Sequence, residues 1–462
     1  MEAFWDYSVW GFFNIFAILL FSLLVANALK KGIPVLEASL VPTSVLAGIL
    51  LLVFSMIYDQ FSDVRFFETV AFNNSGYNYM EMITYHTLAL GFIAGSLKTT
   101  GGKLSKKRAA EIFNTGVTTV STYLVQAVVG MGITIVAAWI LPGFFKAAGL
   151  LLPFGYGQGT GQAMNYGNIY ETQFGFAGGK SFGLTVAALG FLSASIGGVI
   201  HLNILRKRGY IKSAKSQEGA ITENEIQSLD EIPMQESIDK FTIQVALITL
   251  SYMLAYLLMW ILGNLIPGMK AVIYGFNFLL GVLAATLVKA VLNFLKKKGI
   301  AKREYTNNFL LTRASNFFYD IMVVAGIAAI RLDLIDDYWG ILLILGVVGL
   351  VVTYAYNRMV VNVLFKEYKE EQFLAMYGML TGTASTGVIL LREVDGNFKT
   401  PVSDNLVYQN FPAIAFGFPI MLLATLAPVK PYLTLILLTL FLIVMNVILF
   451  RAQIFGKKKT KV

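Results

Sequence analysis

Apolar runs of about twenty residues recur along almost the whole 462-residue chain, each closed by a short polar or charged cluster. Runs of that length predict helices that cross a bilayer core of about 30 Å. In the first half they fall at about 8–29, 42–58, 82–98, 113–141 and 180–205. The first is closed by Lys30-Lys31, the third by "KTTGGKLSKKR" and the fifth by "RKR". The second opens with "LVPTSVLAGILLL" and is followed by Asp59, Asp63, Glu68 and Glu81. A polar stretch of mixed charge, 206–239, then divides the chain near its middle. The second half repeats the plan at about 241–266, 271–295, 314–332, 339–365 and 405–428. One further apolar run, 432–450, ends in Arg451 and the terminal lysines.

Two glycine-rich stretches break the pattern. They are "LLPFGYGQGTGQAMNYGNIY" (151–170) and "YGMLTGTASTG" (377–387). Basic residues mark the cytoplasmic ends of membrane helices. If neither stretch crosses, all the basic ends fall on one side, and the acidic loops after the second and eighth helices fall on the other. Counting either stretch as a full span breaks that parity. Each therefore reads as a hairpin that enters the membrane region and returns, about 144–172 opening outward and about 370–395 opening inward. Irregular backbone cannot face lipid, because each unpaired peptide group costs several kcal/mol there. It is tolerated where it lines a cavity, and paired broken elements are a mark of transporter sites near the midplane.

The pattern predicts an all-α integral membrane protein. It has two inverted repeats of five transmembrane helices with re-entrant hairpins, plus one extra C-terminal helix. The first repeat covers 1–205, a cytoplasmic linker 206–239, the second repeat 240–428, and the extra helix with its basic tail 429–462. Letters echo weakly between the halves: "SVLAGILLLV" faces "NFLLGVLAATLV", and the hairpins share Gly159-Thr160 and Gly382-Thr383. Only 14% of residues are charged and 56% are hydrophobic, well below the roughly 25% charged fraction of soluble domains. The first run is too long for a signal segment and has no basic residue before it, so it reads as a permanent span. Cysteine is absent, which excludes disulfides, thiol catalysis and thiolate metal sites. The net charge of +9 is carried in clusters beside apolar runs, a topology signal rather than a nucleic-acid footprint.

The motifs resemble those of the bacterial sodium/glutamate symporter family. "VPTSVLAG" resembles its "IPEPVAGG", "GYGQGTGQAM" its "GGHGTGAAW", "YGMLTGTASTGVI" its "CGFGLGATPTAIA", and "YLVQAVVGMGI" its "VMQNAIGIGM". The order of elements agrees from about residue 8 to 428. The resemblance implies a five-plus-five inverted repeat, a homodimer, an elevator-like transport domain, and sodium-coupled import of L-glutamate or a related small carboxylate across the bacterial cytoplasmic membrane. It implies no cofactor besides the coupling Na+. Tyr156-Gly157, Gln158 and Ser385 depart from the family letters, and the run 432–450 has no counterpart.

A hairpin turn exposes the N-terminal amides of a short half-helix, which suit a carboxylate. The substrate-binding candidates are Gln158, Gly159, Thr160, Gly161, Gln162 and Asn165 from the first hairpin. Thr381, Gly382, Thr383, Ser385 and Thr386 come from the second. Their hydroxyl and carbonyl oxygens also suit a sodium ion at the hairpin tips. The plainer alternative is that these glycines only permit close helix packing. Four residues are candidates for ion coupling. Asp320 is a carboxylate inside a span, alternatively paired with Arg313. Asn316 shares its face and matches a family asparagine. Gln126 chooses between a helix–helix hydrogen bond and a site role, and His86 between an interfacial or capped group and a proton carrier. Asn357 and Arg358 are polar at mid-depth, Arg358 reading as a snorkelling end residue, and Asn410 opens the tenth span as a cavity-wall residue.

No GxxxxGK[ST] motif is present, so the energy should come from an ion gradient. Proton coupling through Asp320, or a different organic anion, is the alternative within the same fold. An intramembrane enzyme lacks ingredients: there is no HExxH, and the two histidines, His86 and His201, lie far apart. A channel suits two opposed half-helix hairpins less well than a closed site does. The parity places the N-terminus outside and the C-terminus in the cytoplasm.

Overall fold

The computed structural model describes residues 3–38, 40–98, 106–210, 231–233, 238–267, 270–275, 277–395 and 400–455. Most of the linker, the basic segment 99–105 and the terminal lysines lie outside the described residues. Among the described residues the regular structure is helical, apart from one isolated bridge between Glu231 and Glu304.

The helices follow the apolar runs. In the first half they are α1 (Tyr7–Gly32), α2 (Pro34–Ala38), α3 (Thr43–Phe61), α4 (Gly76–Leu97), α5 (Lys106–Ile140), α6 (Leu151–Phe174) and α7 (Gly179–Lys207). In the second they are α8 (Lys240–Leu265), α9 (Lys270–Gly275), α10 (Asn277–Lys297), α11 (Asn308–Ala328), α12 (Trp339–Leu364), α13 (Lys369–Thr381), α14 (Ala384–Arg392), α15 (Val402–Tyr408), α16 (Asn410–Leu426), α17 (Pro431–Leu449) and α18 (Arg451–Phe455). Eight of the described helices are long and apolar enough to cross a membrane. The expected spans about 82–98 and 314–332 correspond to α4 and α11, which are long enough but carry more polar residues. The span expected over 405–428 is two helices, α15 and α16. Pro412 explains the break, because it has no N–H for the carbonyl four residues back, at Tyr408.

Helix ends follow local chemistry. The Asp239 carboxylate accepts from the amides of Phe241 and Thr242 at 2.9 and 3.3 Å and starts α8. The Asn307 side chain accepts from the Leu310 amide at 2.7 Å and starts α11. Such caps satisfy amides that a helix N-terminus leaves open.

The chain forms two compact units. The first comprises Met1–Leu29, Thr43–Lys103 and Glu218–Ala329, which brings together α1, α3, α4 and α8–α11. Its core includes Ile93, Leu97, Ile248, Ala285, Val288 and Leu311. Lys289 donates to the carbonyls of Ser96 and Lys98 at 3.1 and 2.9 Å and so satisfies the end of α4. The second unit comprises Lys30–Pro42, Leu104–Gln217 and Ile330–Val462. It holds α5, α6, α7 and α12–α17. Each unit thus takes helices from both halves of the chain.

Both glycine-rich stretches are helical hairpins, and both belong to the second unit. In α6 the chain turns at Gly159, with φ 80° and ψ −173°, a region open essentially to glycine alone. The Phe154 ring stacks on Tyr166 with centroids 4.0 Å apart. In a continuous helix residues twelve apart would be separated by roughly 18 Å. Phe145, just before the hairpin, stacks on Phe176, just after it, at 4.7 Å. The second hairpin is α13 and α14, joined at Gly382-Thr383. A Cβ on Gly378 would lie 2.9 Å from the Gly387 Cα, so its arms also lie against each other.

Gly159→Ala should cost roughly 1–3 kcal/mol, because alanine cannot hold that backbone region without strain. Gly132 in α5 has open space around its Cα, and Gly132→Ala should be neutral or stabilising by up to about 1 kcal/mol. Thermal unfolding of the purified protein should separate the two variants. Equal midpoints would refute the turn at Gly159.

Candidate functional site

The two hairpin turns converge on α7. A Cβ on Gly190 would stand 2.6 Å from the Thr381 carbonyl oxygen and 3.2 Å from the Tyr156 Cα. Glycine is the residue that lets both arms come this close. The Tyr156 hydroxyl donates to the Gly346 carbonyl of α12 at 2.6 Å and lies 2.8 Å from the Ser193 hydroxyl of α7. Tyr377 of α13 donates to the Ser193 carbonyl at 2.9 Å. From α5, Tyr123 donates to the Gly157 carbonyl at 3.0 Å, and Gln126 donates to the Leu380 carbonyl at 2.9 Å. So α5 holds each turn through a backbone carbonyl that a broken helix leaves open, while tyrosines of the two hairpin arms donate to carbonyls of α12 and α7.

The sequence-predicted residues are distributed around these turns. Gln158 is half-buried beside Gly159, while Gly159, Thr160, Gly161, Gln162 and Asn165 are buried. The Gln162 Oε1 accepts from the Asn165 amide at 3.1 Å. Its Nε2 is buried with no hydrogen-bond partner. On the second hairpin Thr381 donates to the Tyr377 carbonyl at 2.7 Å. Gly382 is buried, and the Thr383 and Thr386 hydroxyls lie 3.4 Å apart. Ser385 is the second residue of α14, but its side chain lies outside the described residues. Two short helices begin at these turns, α14 and the second arm of α6. Their N-terminal amides carry partial positive charge.

Gln126 belongs to this cluster and does more than bridge helices. Its amide nitrogen also donates to the Thr353 hydroxyl of α12 at 2.8 Å, while its Oε1 is buried and unpaired. It ends a seam of uncharged polar residues along one face of α5. Thr115 faces Gln372 at 3.3 Å, Thr119 donates to Gln409 at 2.8 Å, and Thr122 lies 3.5 Å from Asn357. The spacing of 115, 119, 122 and 126 is one helix face. That spacing in "NTGVTTVSTYLVQ" is the signal in the sequence that Thr115, Thr119 and Thr122 share a face with Gln126; Thr353 and Asn357 lie on α12 and are brought to it by the fold.

The remaining candidates lie elsewhere. Asp320, Asn316 and His86 belong to the first unit. Asp320 and Asn316 are both exposed on α11, and Asp320 has the Ser44 hydroxyl of α3 as its hydrogen-bonding neighbour. The expected alternative pairing with Arg313 gives way to stacking of that guanidinium on Phe309, 5.0 Å from the ring centroid. His86 Nδ1 lies 2.7 Å from the Tyr252 hydroxyl, a helix–helix hydrogen bond. Asn410 is exposed and lies 3.0 Å from the Gln409 amide.

Charge enters the second unit at the base of the second hairpin, where sequence reasoning missed it. Arg358 does not snorkel. Its guanidinium pairs with Glu370 through two hydrogen bonds of 2.7 and 2.9 Å. His201 Nε2 meets the same carboxylate at 2.9 Å, and its Nδ1 meets the Tyr354 hydroxyl at 2.7 Å. A carboxylate only accepts, so Nε2 carries the proton and Nδ1 accepts from the tyrosine. The His201 and Glu370 side chains are 3% and 4% exposed. The cluster ties α13 to α7 and α12. At the first hairpin, Tyr166 and Tyr170 donate to the Met421 and Ala424 carbonyls of α16, at 3.0 and 2.9 Å.

Removing one partner of a buried pair strands the other, at roughly 3–5 kcal/mol. Glu370→Ala should therefore lower the thermal midpoint sharply, and the paired change Glu370→Leu with Arg358→Met should recover part of the loss. An unchanged midpoint for Glu370→Ala would mean that the cluster does not hold the hairpin.

Residues 11–400 match the sodium/glutamate symporter family. Among curated proteins none matches the chain. The family match takes in both hairpins, α5, α7 and α12, and it stops before α15–α17. It covers most of the 462 residues, and its members are transporters rather than enzymes. This multi-pass helical chain, with two broken helices meeting over a neutral polar cluster, belongs to the sodium/glutamate symporter family.

Proposed function

We propose that the protein is a secondary active transporter that couples the inward sodium gradient to import of L-glutamate or a closely related small carboxylate. The observation that carries this reading is the convergence of the two hairpin turns in one unit. Their helix N-termini offer oriented amides to a carboxylate without placing a fixed charge there. Gln158, Gly159, Thr160, Gly161, Gln162 and Asn165 bind from one side. Thr381, Gly382, Thr383, Ser385 and Thr386 bind from the other. The unpaired Gln162 amide nitrogen is a ready donor to a carboxylate oxygen.

The two units support an inverted repeat of five spans per half. In each half three spans join the first unit. The next span, a hairpin and a final span join the second. The unit that carries both hairpins acts as the moving body of an elevator-type cycle, and the protein works as a homodimer. It lies in the bacterial cytoplasmic membrane with the N-terminus outside and the linker and C-terminus in the cytoplasm. The alternative of proton coupling rests on Asp320. The neutral oxygens under the hairpin turns favour a cation that does not titrate.

Uptake of radiolabelled L-glutamate into proteoliposomes tests the reading. An inward sodium gradient should drive accumulation, and replacing sodium with potassium should abolish it. A proton gradient alone should not restore it. Gln162→Leu and Thr160→Val should each lower the ratio of maximal rate to KM roughly ten- to hundredfold, the effect of losing a hydrogen bond to a charged group. Uptake driven by protons and indifferent to sodium would overturn the reading.

A further inference from the structure

We propose that the side-chain oxygens of Gln126 and Asn357 form a sodium site beneath the turn of the second hairpin. The proposal rests on the sodium-coupled reading above and names where the ion binds. Both residues are fully buried, at 0% exposed. Both use their amide nitrogens: Gln126 donates to the Thr353 hydroxyl and the Leu380 carbonyl. Asn357 donates to the Thr353 carbonyl at 2.9 Å. A carbonyl only accepts, so these contacts fix which end of each amide is nitrogen. The ends left over are oxygens, and neither Gln126 Oε1 nor Asn357 Oδ1 has a hydrogen-bond partner.

Two buried acceptors without donors are costly in a protein interior. A cation satisfies them where a carboxylate or a carbonyl group would be repelled. Gln126 of α5 and Asn357 of α12 both donate to Thr353, one to its hydroxyl and one to its carbonyl, and the Thr122 hydroxyl of α5 lies 3.5 Å from the Asn357 amide. The set is neutral, oxygen-rich and free of acidic groups, which suits a monovalent hard cation better than calcium. Leu380 and Thr381 end α13, and the C-terminal end of a half-helix carries partial negative charge that favours a cation there. Glutamate and sodium are then held by opposite ends of the same turn: carboxylate by the start of α14, sodium beneath the end of α13. Occupying the cation site fixes Leu380 through Gln126, and so orders the turn that receives the carboxylate.

The test uses the full-length protein in proteoliposomes and in detergent. Sodium chloride should raise the thermal midpoint relative to potassium and choline chloride at equal concentration. Gln126→Leu and Asn357→Leu should abolish that rise. Each should also raise the sodium concentration for half-maximal uptake about tenfold or more, with KM for glutamate at saturating sodium changed less than about threefold. Asn357→Asp, which keeps an oxygen in place, should restore sodium dependence. Thr439→Val in α17 should behave as the unmodified protein. If the leucine variants fail to fold, Gln126→Asn, which withdraws the amide, is measured in the same way. Unchanged sodium dependence in the folded variants would overturn this site and leave sodium-coupled uptake standing. Absence of any sodium effect on the unmodified protein would overturn the coupling itself.

Discussion

Two points of broken backbone govern this structure. At Gly159 and at Gly382-Thr383 the helical ladder stops inside the two glycine-rich stretches. In lipid such groups have no partner and cost several kcal/mol each. The second unit covers them from three sides. Tyr123 and Gln126 take carbonyls at the turns, Tyr156 and Tyr377 brace the adjoining arms, and Gly190 gives both arms room. A side chain at position 190 would drive the Thr381 carbonyl away and open both turns together. The packing that hides the broken backbone is therefore the packing that shapes the candidate site.

Charge and neutrality are kept apart along the second hairpin. At its base Glu370 pairs with Arg358 of α12 and His201 of α7, a cluster that anchors α13. Its turn carries threonines, glycine and amides, with no ionised side chain among the predicted site residues. A fixed charge at the turn would bind one ion permanently and repel another. Neutral donors and acceptors hold a carboxylate and a cation through oriented dipoles and release them at lower cost. The seam from Thr115 to Gln126 continues that neutral character along α5.

Much of the fold was legible in the sequence because its solvent is simple. Apolar runs give the spans, and the basic ends give a parity that leaves two glycine-rich stretches unable to cross. The hairpins at Gly159 and Gly382 follow from that count, and the family match spans both. What the sequence hid depends on distance between elements. Arg358 looked like an end residue because Glu370 and His201 lie on other helices. Asp320 and Gln126 looked equivalent as buried polar residues, yet they belong to different units. Asn357 reads in the sequence only as a polar residue at depth; its unpaired oxygen emerges only when α12 is set against α5. Pro412 was readable as a helix break and was absorbed into an apolar run.

The central claim is that both hairpin turns form one substrate site. The chain has no cysteine, so single cysteines can be introduced at Gln158 and at Thr383 without a background. The measurement is the rate at which each reacts with a small maleimide in sodium-containing buffer, with and without L-glutamate. Slowing at both positions, with the same glutamate concentration dependence, is the expected result. Protection at one position only, or at neither while uptake remains active, would contradict a shared site.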